Sequence, residues 1–260
     1  MVTKIIASGA LLASLLVLPA CSSIAPPRNV TDMPVTSGAM PADPDISIGR
    51  PLFAASAGVE QPQRADFLGE VPSEDARRVA DWVVNSGDND GLPFVIIDKL
   101  RAKVFIFNKS GRLLGATLAL LGKARGDDST AGIGHEKLSA IGPDERTTPA
   151  GRFVAELGRD YEHGVLWVDY HDSIALHRVI RGTPGDHRFQ RLATTSALDK
   201  RITYGCINVP IKFYDDVVLE TFADTTGIVY ILPDTKTIQE VFPKACSAEG
   251  VIGNGSLQTC

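Results

Sequence analysis

The sequence predicts a mainly β domain carrying a few helices. Three observations predict it. From Pro93 onward, apolar and β-branched residues fall in short runs at strand spacing. Turn residues separate these runs, most plainly Lys109-Ser110-Gly111. Helical spacing is confined to a stretch before Pro93, a stretch between 211 and 223 and a short pattern near the C-terminus, so the strand–helix alternation of a parallel doubly wound sheet is missing.

The elements follow in order. Ser73 suits an N-cap, with Glu74 and Asp75 in the first turn, where acidic side chains complement the helix dipole. Ala76, Val79, Ala80 and Val83 then recur at helical spacing, and Gly87 is a plausible stop. Strands are expected at Phe94 to Asp98, Lys103 to Asn108 and Arg112 to Leu120, then at Arg152 to Glu156, Leu166 to Tyr170, Ser173 to Val179 and Gly227 to Leu232. Phe213, Val217, Val218 and Phe222 suit one face of a late helix, and Asp234-Thr235 precede a short helical pattern through Phe242.

Composition narrows the partners. The chain has 260 residues, 44% hydrophobic and 22% charged, with a formal charge of -5. No basic cluster is present to neutralise phosphates, so nucleic acid is not an expected partner. The sequence carries no signal for an oligomeric state.

Residues 1–20 read as an export signal: Lys4 is the positive start, and Ile5 to Leu18 is an apolar core of signal-peptide length. Leu18-Pro19-Ala20-Cys21 resembles the bacterial lipobox, which implies cleavage before Cys21 and lipid on its sulfur. Ser22 after it would direct a Gram-negative lipoprotein to the outer membrane. Residues 21–72 are rich in Pro, Ala, Ser and Asp and read as a flexible tether. The folded domain is expected over 73–233, including the leading helix, with 234–260 as a tail.

There are four cysteines, at 21, 206, 246 and 260. A Cys246–Cys260 disulfide would pin the terminus and leave Cys206 as an unpaired thiol in an oxidising compartment. A buried inert Cys206, or Cys206 paired with a tail cysteine, remains open. No CxxC or CxH pair is present, so no zinc site is expected.

The segment Thr203-Tyr204-Gly205-Cys206-Ile207-Asn208 has the form of a nucleophile turn. Glycine before the nucleophile permits a sharp turn, and backbone N–H groups can then face a developing oxyanion. A thiolate needs a base or cation nearby. Candidate bases come from the five histidines at 135, 163, 171, 177 and 187.

These residues resemble the YkuD-type L,D-transpeptidases. The family signature is a histidine at a strand end, then Ser/Thr-His-Gly-Cys, an apolar residue, and Arg or Asn. Here Ala175-Leu176-His177-Arg178 is followed by Thr203-Tyr204-Gly205-Cys206-Ile207-Asn208, and Thr147-Thr148-Pro149-Ala150-Gly151-Arg152-Phe153 is similar to the family's Thr-Pro-x-Gly-x-Phe. An early strand pair ending near Gly122 is a third match, and the resemblance covers about residues 93–233. It implies a mostly antiparallel, β-sandwich-like catalytic domain in a bacterial lipoprotein. Cys206 would be the nucleophile and His177 its base, with the imidazole oriented by a backbone carbonyl, that of Arg178 being nearest in sequence. Thr203, Tyr204, Asn208 and the N–H groups of Gly205 and Cys206 would line the acyl site.

Two departures stand out. Tyr204 occupies the position where the family usually has histidine, and His177 lies 29 positions before Cys206, a longer loop than usual. His187, 19 positions before Cys206, is the alternative base, although its Thr183-Pro184-Gly185-Asp186 context is turn-like. His177 follows Ile174-Ala175-Leu176 at a probable strand end and is preferred. The extra loop reads as an insertion over the cleft.

The resemblance implies this chemistry: a Cys206 thiolate paired with a His177 imidazolium attacks the amide carbonyl of the third stem-peptide residue of peptidoglycan, D-alanine leaves, and the thioester so formed is resolved by an amine, with no metal or organic cofactor. Hydrolysis (L,D-carboxypeptidase action), transfer to a protein amine, and a non-catalytic peptidoglycan-binding lipoprotein are the alternatives. NlpC/P60 peptidases place cysteine before histidine, and sortases use a different cysteine context, so neither fits.

Overall fold

The computed structural model describes residues 63–158 and 164–247. The signal segment, Cys21 and most of the tether lie outside the described residues, as do His163 and Cys260. Ten strands and six helices are present among the described residues.

Helix α1 (Glu74–Ser86) begins where Ser73 accepts a hydrogen bond from the Ala76 N–H and ends at Gly87, which takes the left-handed conformation with φ 70°. Its buried stripe of Ala76, Val79, Ala80, Trp82 and Val83 faces the sheet. The strands are β1 (Phe94–Asp98), β2 (Lys103–Phe107), β3 (Leu113–Leu118), β4 (Leu121–Gly122), β5 (Gly151–Gly158), β6 (Val165–Asp169), β7 (Ile174–Arg178), β8 (Arg201–Thr203), β9 (Ile207–Val209) and β10 (Gly227–Ile231). The remaining helices are α2 (Arg188–Ala193), α3 (Ile211–Phe213), α4 (Glu220–Phe222), α5 (Ile238–Val241) and α6 (Pro243–Ser247), with a π-helical stretch, Tyr214–Leu219, joining α3 to α4.

Eight strands form one sheet in the order β3-β2-β1-β10-β5-β6-β7-β9, and β4 and β8 form a small parallel pair. Neighbours in the large sheet run antiparallel except β1 with β10 and β7 with β9. Alternation divides the central strands between two cores. Val95, Ile97, Val104, Ile106, Val229 and Ile231 face a core that Tyr214, Val218 and Phe222 cover. Phe94, Ile96, Phe105, Phe107, Ile228 and Tyr230 face the other core, which α1 and residues Ile238, Phe242 and Ala245 cover. Because both faces are covered, β1 and β10 are continuous apolar runs.

The first core also takes in Ala155, Leu166, Leu176, Ile207 and Val209. Eight flat strands would span roughly 34 Å, so one core that reaches from β2 to β9 means the sheet curls around it. The sandwich thus takes the form of a single curled sheet with helices on both sides.

Two boundaries differ from the composition reading. Ala65 and Phe67 are buried, Phe67 sits edge-on to Phe105 and Phe107, and Asp66 bridges Arg112, so residues 63–72 belong to the fold and not to a tether. Residues 234–246 also pack on the domain: the Asp127 carboxylate accepts from the N–H groups of Asp234, Thr235 and Lys236 and from the buried Lys99 ammonium at 2.8 Å. Cys246 is disulfide-bonded and Cys206 is free; the partner of Cys246 lies outside the described residues.

Candidate active site

The site forms where β9 enters the sheet beside β7. Their register pairs Leu176 with Ile207 and His177 with Asn208. Leu176 and Ile207 are fully buried in the core, so His177 and Asn208 share the opposite face. Cys206 stands two residues ahead of Asn208, diagonally across from His177, with Cα atoms roughly 8 Å apart by strand spacing.

The turn before Cys206 is fixed from two sides. Gly205 has φ 132°, and a Cβ there would lie 2.8 Å from both the Thr147 carbonyl oxygen and Ile174 Cδ1. Backbone conformation and space both demand glycine. The buried Thr148 Oγ1 donates to the Gly205 carbonyl at 2.7 Å and accepts from the Gly122 N–H at 2.8 Å. Thr203 Oγ1 donates to the Cys206 carbonyl at 2.6 Å and accepts from the Gly205 N–H at 3.2 Å. The Thr-Pro segment is therefore the buttress of the Gly205-Cys206 turn. A planar trans peptide aims its N–H opposite to its carbonyl, so tying down the Gly205 carbonyl also aims the Cys206 N–H.

Cys206 is half-buried, with Sγ 3.6 Å from the Ser173 carbonyl oxygen. Ser173 has φ 55°, an uncommon conformation for a non-glycine residue. Burial pushes the Cys206 thiol up from its ordinary pKa. The N–H groups of Ala175 and Cys206, facing the sulfur, and the Arg188 cation pull it partly back.

His177 Nδ1 lies 2.7 Å from the Arg178 carbonyl oxygen, and Nε2 lies 3.0 Å from Asn208 Nδ2. Arg178 is anchored in turn: its guanidinium bonds Asp215 at 2.6 Å and stacks 4.4 Å above the Tyr214 ring, both on the π-helical stretch. Asn208 Oδ1 accepts from Arg188 Nη1 at 3.1 Å, and Arg188 Nε donates to Asp186 at 2.9 Å. Burial lowers the His177 pKa, the hydrogen bond to the Arg178 carbonyl opposes that, and the Arg188 cation adds to the lowering.

Burial thus works against the thiolate and against the imidazolium of the expected pair, and Arg188 further disfavours a second cation. No hydrogen bond joins Sγ to the imidazole, since both ring nitrogens have other partners.

Other expectations are redistributed. Thr203 is 2% exposed and spends its hydroxyl on the turn, and the Gly205 N–H is spent on Thr203, so neither lines an acyl pocket; the Cys206 N–H remains. Asn208 is 1% exposed and contacts His177 and Arg188, not a surface that substrate reaches. Tyr204 is half-buried, with the Arg146 guanidinium 3.9 Å from its ring centroid. His187 is exposed, and lines a cavity of about 330 Å³ on the insertion with Arg181, Thr183, Pro184, Arg188, Phe189 and Gln190, a set that excludes Cys206. Arg152 bonds Asp88 and Asp90.

The insertion between His177 and Cys206 packs in place. Arg188, Leu192 and Lys200 are buried, and Lys200 Nζ caps the carbonyls of Arg191 and Thr194, both at 2.5 Å. Thr148, Asp186 and Arg188 are the site residues that sequence reading passed over. Thr148 lies in a quoted motif, whereas Arg188 has no local signal.

Among the described residues no three His, Cys, Asp or Glu side chains gather to hold a metal ion, and no helix is long and apolar enough to cross a membrane. No protein-family model matches the chain, and no curated protein matches it in sequence. Solved structures are similar at low identity. An L,D-transpeptidase, LdtMt1, in complex with imipenem is 15% identical at TM-score 0.31, covering 54% of this chain and 58% of that one. The helical cell shape determining protein Pgp2 from Campylobacter jejuni is 14% identical at TM-score 0.38, covering 62% and 57%. An L,D-transpeptidase from Mycobacterium smegmatis is 12% identical at TM-score 0.30, covering 54% and 58%. The chain therefore spans less than two thirds of each.

Proposed function

We propose that the chain is a cysteine acyltransferase of the L,D-transpeptidase kind acting on peptidoglycan stem peptides. One observation carries the reading: a free cysteine on a doubly buttressed glycine turn, diagonal to a histidine whose Nδ1 faces a backbone carbonyl. The motif order Thr-Pro, His177, Gly205-Cys206 supports the choice of family.

The chemistry follows from that geometry. Nδ1–H donates to the Arg178 carbonyl, which leaves the Nε2 lone pair as the base. Sγ attacks the carbonyl carbon of the third stem residue while its proton passes to Nε2. The Cys206 N–H stabilises the tetrahedral oxyanion. The C–N bond breaks, imidazolium protonates the leaving D-alanine amine, and a thioester remains. An acceptor amine then attacks it, giving its proton to Nε2, and the C–S bond breaks to restore the thiol.

The test is intact-mass spectrometry after incubation with a carbapenem. A covalent adduct is expected on the full chain and is expected to vanish in Cys206→Ala. No adduct, or one that survives the substitution, overturns the reading. Muropeptide analysis then separates crosslinking from hydrolytic trimming.

A second reading has its own observation. Sγ and the imidazole share no hydrogen bond and each has another partner, as suits a peptidoglycan-binding protein without turnover. Muropeptide binding without acylation would select it. The Leu18–Cys21 pattern supports attachment to the cell envelope by lipid at Cys21. Radiolabelled fatty acid should label the protein, and Cys21→Ala should abolish labelling.

A further inference from the structure

The residues around His177 form one chain of donors and acceptors. Arginine carries only donors, so Arg188 Nη1, 3.1 Å from the Asn208 side chain, must face its oxygen. The Asn208 amide nitrogen then has to point the other way, toward His177 Nε2 at 3.0 Å. An amide nitrogen only donates, so Nε2 must be the unprotonated acceptor. The ring proton then belongs on Nδ1, where the Arg178 carbonyl accepts it at 2.7 Å. Two independent contacts therefore agree on one tautomer: the Arg178 carbonyl at Nδ1 and the Asn208 amide, oriented by Arg188, at Nε2.

We propose that Arg188, held by Asp186, is a positioning residue that fixes the orientation of the Asn208 amide and through it holds Nε2 of His177 unprotonated, in concert with the Arg178 carbonyl at Nδ1.

The insertion is built to hold that guanidinium. Asp186 Oδ1 accepts from the Thr183 hydroxyl at 2.7 Å, and Oδ2 accepts from Arg188 Nε at 2.9 Å. Arg191 Nε donates to the Asp186 carbonyl at 2.9 Å, which ties α2 back onto the same turn. Arg188 is 7% exposed, so its bonds compete with little water. Without a donor at Oδ1, the amide can flip with almost no change in shape and present its oxygen to Nε2, which rewards the wrong tautomer. The same amide occupies Nε2 at rest, so acylation requires it to yield that nitrogen to the Cys206 proton. The cation also lies near enough to both catalytic groups to disfavour imidazolium and favour thiolate.

The catalytic side of this proposal rests on the acyltransferase reading, whereas the tautomer does not, so the test reads both. Long-range 1H–15N NMR of the 15N-labelled full chain should show His177 with a protonated Nδ1 and an unprotonated Nε2. In Arg188→Met the Nε2–H form should become populated and carbapenem acylation should slow by about tenfold or more. Arg188→Lys restores a donor and should recover most of both. Asn208→Asp, which places a pure acceptor at Nε2, should put a proton on Nε2, whether or not Nδ1 keeps its own. A wild-type Nε2–H tautomer, or a folded Arg188→Met protein with unchanged tautomer and rate, overturns the proposal. Should Arg188→Met fail to fold, Asn208→Asp decides: an unchanged tautomer there overturns it equally. Absence of any wild-type adduct instead sinks the acyltransferase reading and leaves the NMR result to judge the relay.

Discussion

Two supports meet at Cys206, and they are built from opposite materials. On one side, Thr148 and Thr203 hold the glycine turn with neutral hydroxyls, each donating once and accepting once among buried groups. On the other, Asp186 and Arg188 reach in from the insertion and hold the imidazole through a charged relay. The neutral support sets where atoms sit. The charged support sets which atom carries a proton. Damage to the first should cost stability and rate together, and damage to the second should cost rate and protonation state with less stability, because water can take over the partly exposed Asp186 carboxylate.

The largest effect is expected at Thr148. Thr148→Val keeps the shape but strands the Gly205 carbonyl and the Gly122 N–H, both in buried surroundings. Two stranded groups cost about 2–4 kcal/mol, and a loosened Cys206 N–H should slow acylation by about tenfold to a hundredfold. Denaturant unfolding and adduct kinetics measure the two. A variant within about 0.5 kcal/mol of wild type that acylates normally would break the contrast between the supports.

The two supports also differ in how far the sequence announces them. The Thr147-Thr148-Pro149 motif, the Gly205-Cys206 pair, the Ser73 cap and most long strands carry local signals, and the structure realises the elements within a few residues. β8 and β9 do not: each has three residues, and β9 exists only because Leu176, His177 and Arg178 pair with it from far upstream. Arg188 lies in a polar, turn-like stretch, and its reason for burial is Asn208, twenty positions away. Phe67 is similar, a lone aromatic in a polar segment that finds its partners only in Phe105 and Phe107. What was illegible is what depends on a partner distant in the chain.

A smaller and sharper contrast lies in pH. Burial raises the Cys206 pKa and lowers that of His177, so both charged forms are disfavoured at neutral pH. Iodoacetamide labelling of Cys206 should therefore be slow near pH 7 and still rising past about pH 9, the ordinary cysteine range. Carbapenem acylation, which needs neutral His177, should stay flat down to about pH 6.5 and decline only below it. A labelling curve with a step near neutrality would mean that a thiolate–imidazolium pair pre-exists, and that the charged support does not hold His177 neutral at rest.

The smallest effect is expected at Tyr204, which stands where the resembling family has histidine. Arg146 engages the ring face at 3.9 Å, and phenylalanine offers the same face. Arg146 is itself fixed by two donations to the Ile141 carbonyl, at 3.2 and 3.0 Å, so the platform does not depend on the phenol oxygen. Tyr204→Phe should leave stability within about 0.5 kcal/mol and acylation within about twofold. Adduct kinetics at pH 7 and a melting curve check both. A tenfold loss would assign the hydroxyl a contact with the substrate.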